Sequence, residues 1–242
     1  MNRRLEREQV FQFVRPRLSG ARRILEVGCG QGDLARQLSS DGFEVTALDR
    51  EIPPESKAGR VRWVEASLLD FSADRTFDAI VVVATLHHLE PLAEAVSHLK
   101  SLLAEGGLLI IDEFDLEAPD ESTCRWYYDA QQRLEAAGLY SGHRIKTDRD
   151  LPPLTRWRLD HEHEHKLHSG AAMKAAVGDQ FDLCHVERLP YLYRYICAGL
   201  PDDDVGARVA EEIFERENSA IAEGDLLPVG LRFVAQHAQP NR

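Results

Sequence analysis

ILEVGCGQGD, residues 24 to 33, decides the fold: a short apolar run meets a turn with glycine at positions 28, 30 and 32, and a helical pattern follows from Leu34 to Leu38. Glycine lets the backbone come close to a neighbour where a Cβ would clash, and a helix start offers unpaired N–H groups. A nucleotide-like ligand is the natural occupant of such a strand–turn–helix. A tight turn with no ligand would need fewer alternating glycines.

Outward from this turn, short β-branched runs alternate with helical stretches. Strands are expected at EVTALD (44–49), VRWVEA (61–66), FDAIVVVA (77–84) and LLIIDEF (108–114). That alternation predicts a parallel sheet with helices on both faces. Pro91 opens a helix carrying Leu92, Ala95, Val96, Leu99, Leu102 and Leu103, with Gly106-Gly107 as its expected stop. The connection 50–60, with Pro53-Pro54 and Gly59, leaves little room for a crossover helix. Leu5, Val10, Phe11, Phe13, Val14 and Leu18 predict an amphipathic N-terminal helix interrupted at Pro16. Beyond Phe114 the alternation lapses into a helical stretch (120–137), a polar irregular one (138–170) and an Ala-rich helix (170–177). Strand signals return at 181–189 and 230–236, around an acidic helix at 203–222. The expectation is one domain, 1–242, comprising an N-terminal helix (1–20), a cofactor core (21–114), a cap (115–178) and closing strands with a helix (179–242).

Composition narrows the function. Lys plus Arg is 29 and Asp plus Glu is 41, and the formal net charge of 29 − 41 = −12 repels a polyanion, so nucleic acid is disfavoured despite an arginine-rich N-terminus. No apolar run approaches the ~20 residues that span a bilayer. Cys29, Cys124, Cys184 and Cys197 include no CxxC pair, which fits reduced thiols in a cytoplasmic protein.

The ligand is narrowed by two side chains, while a third serves either cofactor. Asp33 stands where a dinucleotide-binding GxGxxG has its third glycine, and Glu26 adds a negative charge before the turn that suits a cationic ligand better than a pyrophosphate. Asp49 follows Gly28 by 49 − 28 = 21 positions, near the ~20-residue spacing at which a carboxylate grips ribose hydroxyls. A bare turn cap is the bland alternative for Asp49.

EVGCGQG (26–32), ALDR (47–50), VEASLLDF (64–71), FDAIVVVATLHHLE (77–90) and LAEGGLLIIDEF (103–114) together resemble, in order, the core motifs of class I S-adenosylmethionine-dependent methyltransferases, particularly the small-molecule branch with the ubiquinone and menaquinone methyltransferases. The resemblance covers residues 22 to about 115. It implies a Rossmann-like, doubly wound α/β sheet of seven strands, mostly parallel with the last antiparallel, and S-adenosyl-L-methionine as cofactor. It further implies that Glu26, Gly28, Cys29, Gly30 and Gly32 hold the methionine portion, Asp49 the ribose, Arg50 the adenine flank, Glu65 and Ala66 the adenine edge and ring, and that Ala84 faces the reacting methyl. The family more often has Asp at the position of Glu65.

Methyl transfer from a sulfonium is an in-line displacement in which the protein aligns the nucleophile and supplies a base only where that nucleophile carries a proton. His87 and His88, just past the fourth strand on the rim where open α/β sheets bind ligands, are the candidate bases. Ala84-Thr85-Leu86-His87 is not the Asn-Pro-Pro-aromatic motif of enzymes that methylate amino groups on bases and glutamines, so oxygen or carbon acceptors are favoured. His161, His163 and His165 on a strand, or His161, His165 and His168 on a helix, could align for a metal, but an exposed polar segment is the plainer account and no metal is assigned. Trp126, Tyr127, Tyr128, Tyr191, Tyr193 and Tyr195 would suit a flat acceptor, or pack the cap. The expected partner is a small-molecule methyl acceptor, no membrane is expected, and a homodimer is compatible with the reading. Rivals are a non-catalytic S-adenosylmethionine-binding regulator and a nicotinamide-dependent oxidoreductase.

Overall fold

The computed structural model describes every residue except 1–2, 55–56, 58, 142–148, 163–166 and 238–242. Its sheet has the order β3-β2-β1-β4-β5-β7-β6 and comprises β1 (Arg23–Val27), β2 (Glu44–Asp49), β3 (Arg62–Glu65), β4 (Phe77–Val83), β5 (Leu103–Phe114), β6 (Asp182–Leu189) and β7 (Gly230–Gln236). The pairings of β1 with β2 and β4, of β2 with β3 and of β4 with β5 are parallel, and β7 runs antiparallel. The chain order reverses at β1, so β1 and β4 part at a topological switch point, where open α/β sheets bind ligands beyond the strands' carboxyl ends.

Why these runs form central strands follows from burial. Ile24, Val45, Ala47, Ala79, Val81 and Ile110 share a core with Val10, Phe13 and Val14 of α1 (Arg4–Val14) and with Ala35 and Leu38 of α2 (Asp33–Ser40). Their alternates Leu25, Leu48, Ile80, Val82, Leu109 and Ile111 are equally buried. Both faces are therefore covered, as continuous apolar strands require. Pro16, which breaks the helical pattern, sits at the start of a 3-10 turn (Arg15–Leu18), where its missing N–H costs no helical bond.

The sequence expectation fails at Gly106-Gly107. Helix α3 (Leu92–Leu102) ends earlier, and β5 begins at Leu103, so the glycines lie inside a strand. A register shift at Phe77/Ala79 marks an irregularity there, and a Cβ on Gly107 would press on the Ala104 and Asp78 carbonyls. Glycine in that place permits a bulge and close backbone approach, not a helix stop.

The chain divides into two compact units. One holds residues 10–113, 168–187 and 232–242, and thus nearly all of the sheet. It includes α6 (Gly170–Gly178), which packs against α3. The other gathers 1–9, 114–167 and 188–231, so the segment expected as a cap, 115–178, is shared between the two. Its helices are α4 (Glu121–Ala136), α5 (Pro153–Glu162), α7 (Leu192–Cys197) and α8 (Asp204–Glu223). Helix α5 lies in a stretch that the sequence had suggested was irregular, because it lacks an apolar stripe. Tyr127, Trp157, Tyr191, Tyr193 and Ile196 fill this unit's core. Glu217 closes it from α8, accepting the amides of Tyr191, Leu192 and Tyr193 at 2.7, 2.9 and 2.7 Å at the start of α7.

Candidate active site

Residues 28–32 form a turn pinned to the end of β2. The amides of Gly28 and Cys29 both donate to the Leu48 carbonyl, at 2.8 and 3.2 Å, and the Gly30 amide donates to Asp49 Oδ2 at 2.8 Å. A phosphate-binding loop leaves such amides for the anion. Here they are engaged by the protein.

The three glycines answer different needs. Gly28, Gly30 and Gly32 all have positive φ, at 74°, 48° and 70°. A Cβ on Gly28 would overlap the Thr85 side chain, and one on Gly32 would overlap the Trp63 ring. A Cβ on Gly30 would meet nothing within 4 Å, so this exposed glycine alone borders open space. Asp33, the departure from the dinucleotide pattern, opens α2 and pairs with Arg36 at 2.5 Å. An acidic first residue also favours the positive end of the helix.

Glu26 is 4% exposed and lies beneath α2, where its carboxyl accepts the backbone N–H of Ala35 while Oε2 has no hydrogen-bond partner. Burial, assisted by the nearby charges of Asp33 and Asp49, pushes its carboxyl up to about 8. A cation brought beside this carboxyl would favour its ionised form, whereas an anion would keep it protonated. Cys29 is buried, and burial first and Glu26 second push its thiol up to about 12, so it stays a neutral packing group.

A cavity of about 320 Å³ lies beside the turn, lined among others by Gly28, Asp49, Arg50, Ala66, Thr85 and His88. The expected residues Gly28, Asp49, Arg50, Ala66 and His88 thus converge. Glu26, Cys29, Gly30, Gly32, Glu65, Ala84 and His87 are not among its lining residues; Glu65 Oε1 accepts the Ile52 amide at 3.2 Å and Oε2 takes Lys57 Nζ at 2.7 Å, so the carboxylate braces the connection after β2. Those bonds hold it below the ordinary carboxylate range.

The two histidines separate. His88 is exposed and lines the cavity, whereas His87 is 4% exposed with Nδ1 2.8 Å from Glu113 Oε2. Both sit in a 3-10 turn (Leu86–His88) entered through Ala84, whose φ is +44° and whose amide donates to the Asp112 carbonyl at 2.9 Å. Left-handed backbone at a non-glycine residue is strained, and such residues cluster at functional sites. Sequence reasoning missed Thr85 and Glu113, and considered His168 only as a possible metal ligand. The signal for Glu113 was a pair of carboxylates directly after the apolar run Leu108–Ile111. The two point to opposite faces: Asp112 takes Arg232 Nε on β7 at 2.6 Å, and Glu113 takes the turn.

Of the histidine run, His163 and His165 lie outside the described residues. His161 bonds the Trp157 carbonyl at 2.8 Å and His168 bonds the Leu89 carbonyl at 3.0 Å. No metal-holding group of His, Cys, Asp or Glu occurs among the described residues. Nor is any helix among them long and apolar enough to cross a membrane. The tyrosines singled out in the sequence are chiefly core: Tyr127, Tyr128, Tyr191 and Tyr193 are at most 7% exposed.

An uncharacterized methyltransferase of Mycobacterium tuberculosis is 35% identical over 102 residues, 39% of this chain and 52% of that protein. The chain spans about half the length of the curated relatives it matches. Among solved structures, an S-adenosylmethionine-dependent methyltransferase from Archaeoglobus fulgidus superposes with a TM-score of 0.59 at 17% identity, covering 97% of this chain and 94% of that one. The N-methyltransferase NodS from Bradyrhizobium japonicum does so with a TM-score of 0.53 at 16% identity, covering 97% of each. These likenesses establish the fold. Residues 1–176 match the model of the methyltransferase domain, and the chain belongs to that family.

Proposed function

We propose that the protein transfers a methyl group from S-adenosyl-L-methionine to a small molecule, with oxygen or carbon as the favoured attacking atom. The observation that carries this reading is Glu26 Oε2, a buried carboxyl oxygen with no partner, beneath a turn whose amides are already engaged. That combination suits a ligand with a cationic amino-acid end and no phosphate. When bound, the cofactor supplies an electrophilic methyl on a sulfonium centre.

The chain's own residues do the rest. Glu26 would hold the ammonium group, Gly30 leaves room for the ligand, Asp49 would bind the ribose, and Arg50 and Ala66 would flank the adenine. Thr85 lines the cavity, Ala84 beside it in the chain would face the reacting methyl, and His88 is the group that could take a proton from a hydroxyl or an acidic carbon. Against amine acceptors stands the segment Ala84-Thr85-Leu86-His87. NodS is an N-methyltransferase, but identity of 16% carries no acceptor across.

Calorimetric titration with S-adenosylmethionine, S-adenosylhomocysteine and a nicotinamide dinucleotide, followed by a methyl-acceptor panel of phenols, carboxylates and amines, tests the reading. Binding of the first two, and turnover with a hydroxyl or carbon acceptor, is expected. Tighter binding of the dinucleotide would refute it, and cofactor binding with no turnover on any acceptor would favour a regulator.

A further inference from the structure

We propose that Glu113 is the positioning residue of this site, an inference that rests on the function proposed above. Glu113 is fully buried at the end of β5, and its two oxygens do different work. Oε1 accepts the backbone amides of Thr85, Leu86 and His87 at 2.7, 2.6 and 3.4 Å, and Oε2 accepts Nδ1–H of His87 at 2.8 Å. A buried carboxylate is tolerated only when its acceptor capacity is met. Here every one of these donors comes from a single three-residue segment.

That segment needs such a hold. It follows the strained backbone of Ala84, and it delivers Thr85 against Gly28 and His88 to the cavity wall. From its carbonyl side His168 completes the grip, its amide donating to the His87 carbonyl at 3.0 Å and its Nε2 to the Leu89 carbonyl at 3.0 Å. The turn that carries Thr85 and His88 is thus fastened through its amides by Glu113 and through the His87 carbonyl by His168. Because a carboxylate only accepts, Glu113 also fixes His87 as the Nδ1–H tautomer.

The two tasks separate chemically. Glu113→Gln keeps one acceptor oxygen for the amides but faces His87 with an amide donor, which calls for the opposite tautomer. Glu113→Ala removes both. Calorimetry with S-adenosylhomocysteine as probe, on variants shown to be folded by circular dichroism, should find about tenfold or greater loss of affinity in Glu113→Ala and a loss within about threefold in Glu113→Gln. Long-range proton–nitrogen spectra should show His87 moving from the Nδ1–H to the Nε2–H tautomer in Glu113→Gln. Unchanged affinity in a folded Glu113→Ala, a Gln variant no better than Ala, or an unswitched tautomer would each overturn the proposal. If Glu113→Ala does not fold, the Gln variant's affinity and tautomer decide alone. Wild-type protein that ignores the probe would refute the proposed function instead, and the tautomer measurement would still judge Glu113.

Discussion

The carboxylate of Asp49 accepts the amide of Gly30 at 2.8 Å, tying the end of β2 to the one glycine of the turn that borders open space. The residue assigned to the ribose therefore also shapes the turn assigned to the methionine end. Asp49→Ala should lose both contributions and weaken S-adenosylhomocysteine by more than about tenfold, while Asp49→Asn, which keeps an acceptor for Gly30, should fall between. Titration calorimetry on the three proteins checks the order.

Gly28 and Gly30 should part company when each is replaced by alanine. Gly28→Ala drives a methyl into Thr85 and should cost several kcal/mol of stability, as overpacking at a left-handed position does. Gly30→Ala meets open space and should cost only about 1 kcal/mol for its φ of +48°, yet it places a methyl where the ligand would lie. Thermal melts beside ligand titrations distinguish a folding defect from a binding defect.

Glu26 makes a pH prediction whose sign follows from its direction of shift. Its folded value is raised from 4.5 to about 8, so between those values the folded chain holds a proton that the unfolded chain has released. Its contribution to stability is present below the unfolded value and is lost as pH rises through the folded one. Glu26→Gln lacks that slope. Its melting temperature relative to wild type should climb from about pH 5 to about pH 9, while its affinity for S-adenosylhomocysteine drops about tenfold. A difference in melting temperature that stays flat across this range would contradict the assignment.

The neighbouring histidines should respond oppositely. His87→Ala deprives buried Glu113 of a donor and should lower stability by about 1–3 kcal/mol. His88→Ala should leave the melting temperature within about 1 °C of wild type and reduce turnover, once an acceptor is in hand, by about a hundredfold. Parallel melting curves and initial rates test the pair.

Much of this was legible in the residues. Period and punctuation announced the central strands β1, β2, β4 and β5, because a strand covered on both faces must be apolar and bounded by turn residues, and the exposed edge strands β3 and β6 through their alternation. Glu26 and Asp49 were legible because charge at a strand end is conspicuous. Less visible was anything set by packing in three dimensions: Glu65 turned to Lys57, Gly106-Gly107 accommodated in a strand, Tyr191 and Tyr193 turned into a core, and His87 drawn inward by Glu113. No local spacing encodes a partner 113 − 87 = 26 positions away. The sequence alone does not tell two adjacent histidines apart, whereas their burial does: His87 lies inward and His88 lines the cavity.

A crystal structure with S-adenosylhomocysteine tests the central claim most directly. Its amino group should lie on Glu26 Oε2, its ribose on Asp49 and its sulfur facing Ala84 and Thr85. A cavity that stays empty at saturating ligand, or a diphosphate seated against the amides of residues 28 to 32, would contradict it.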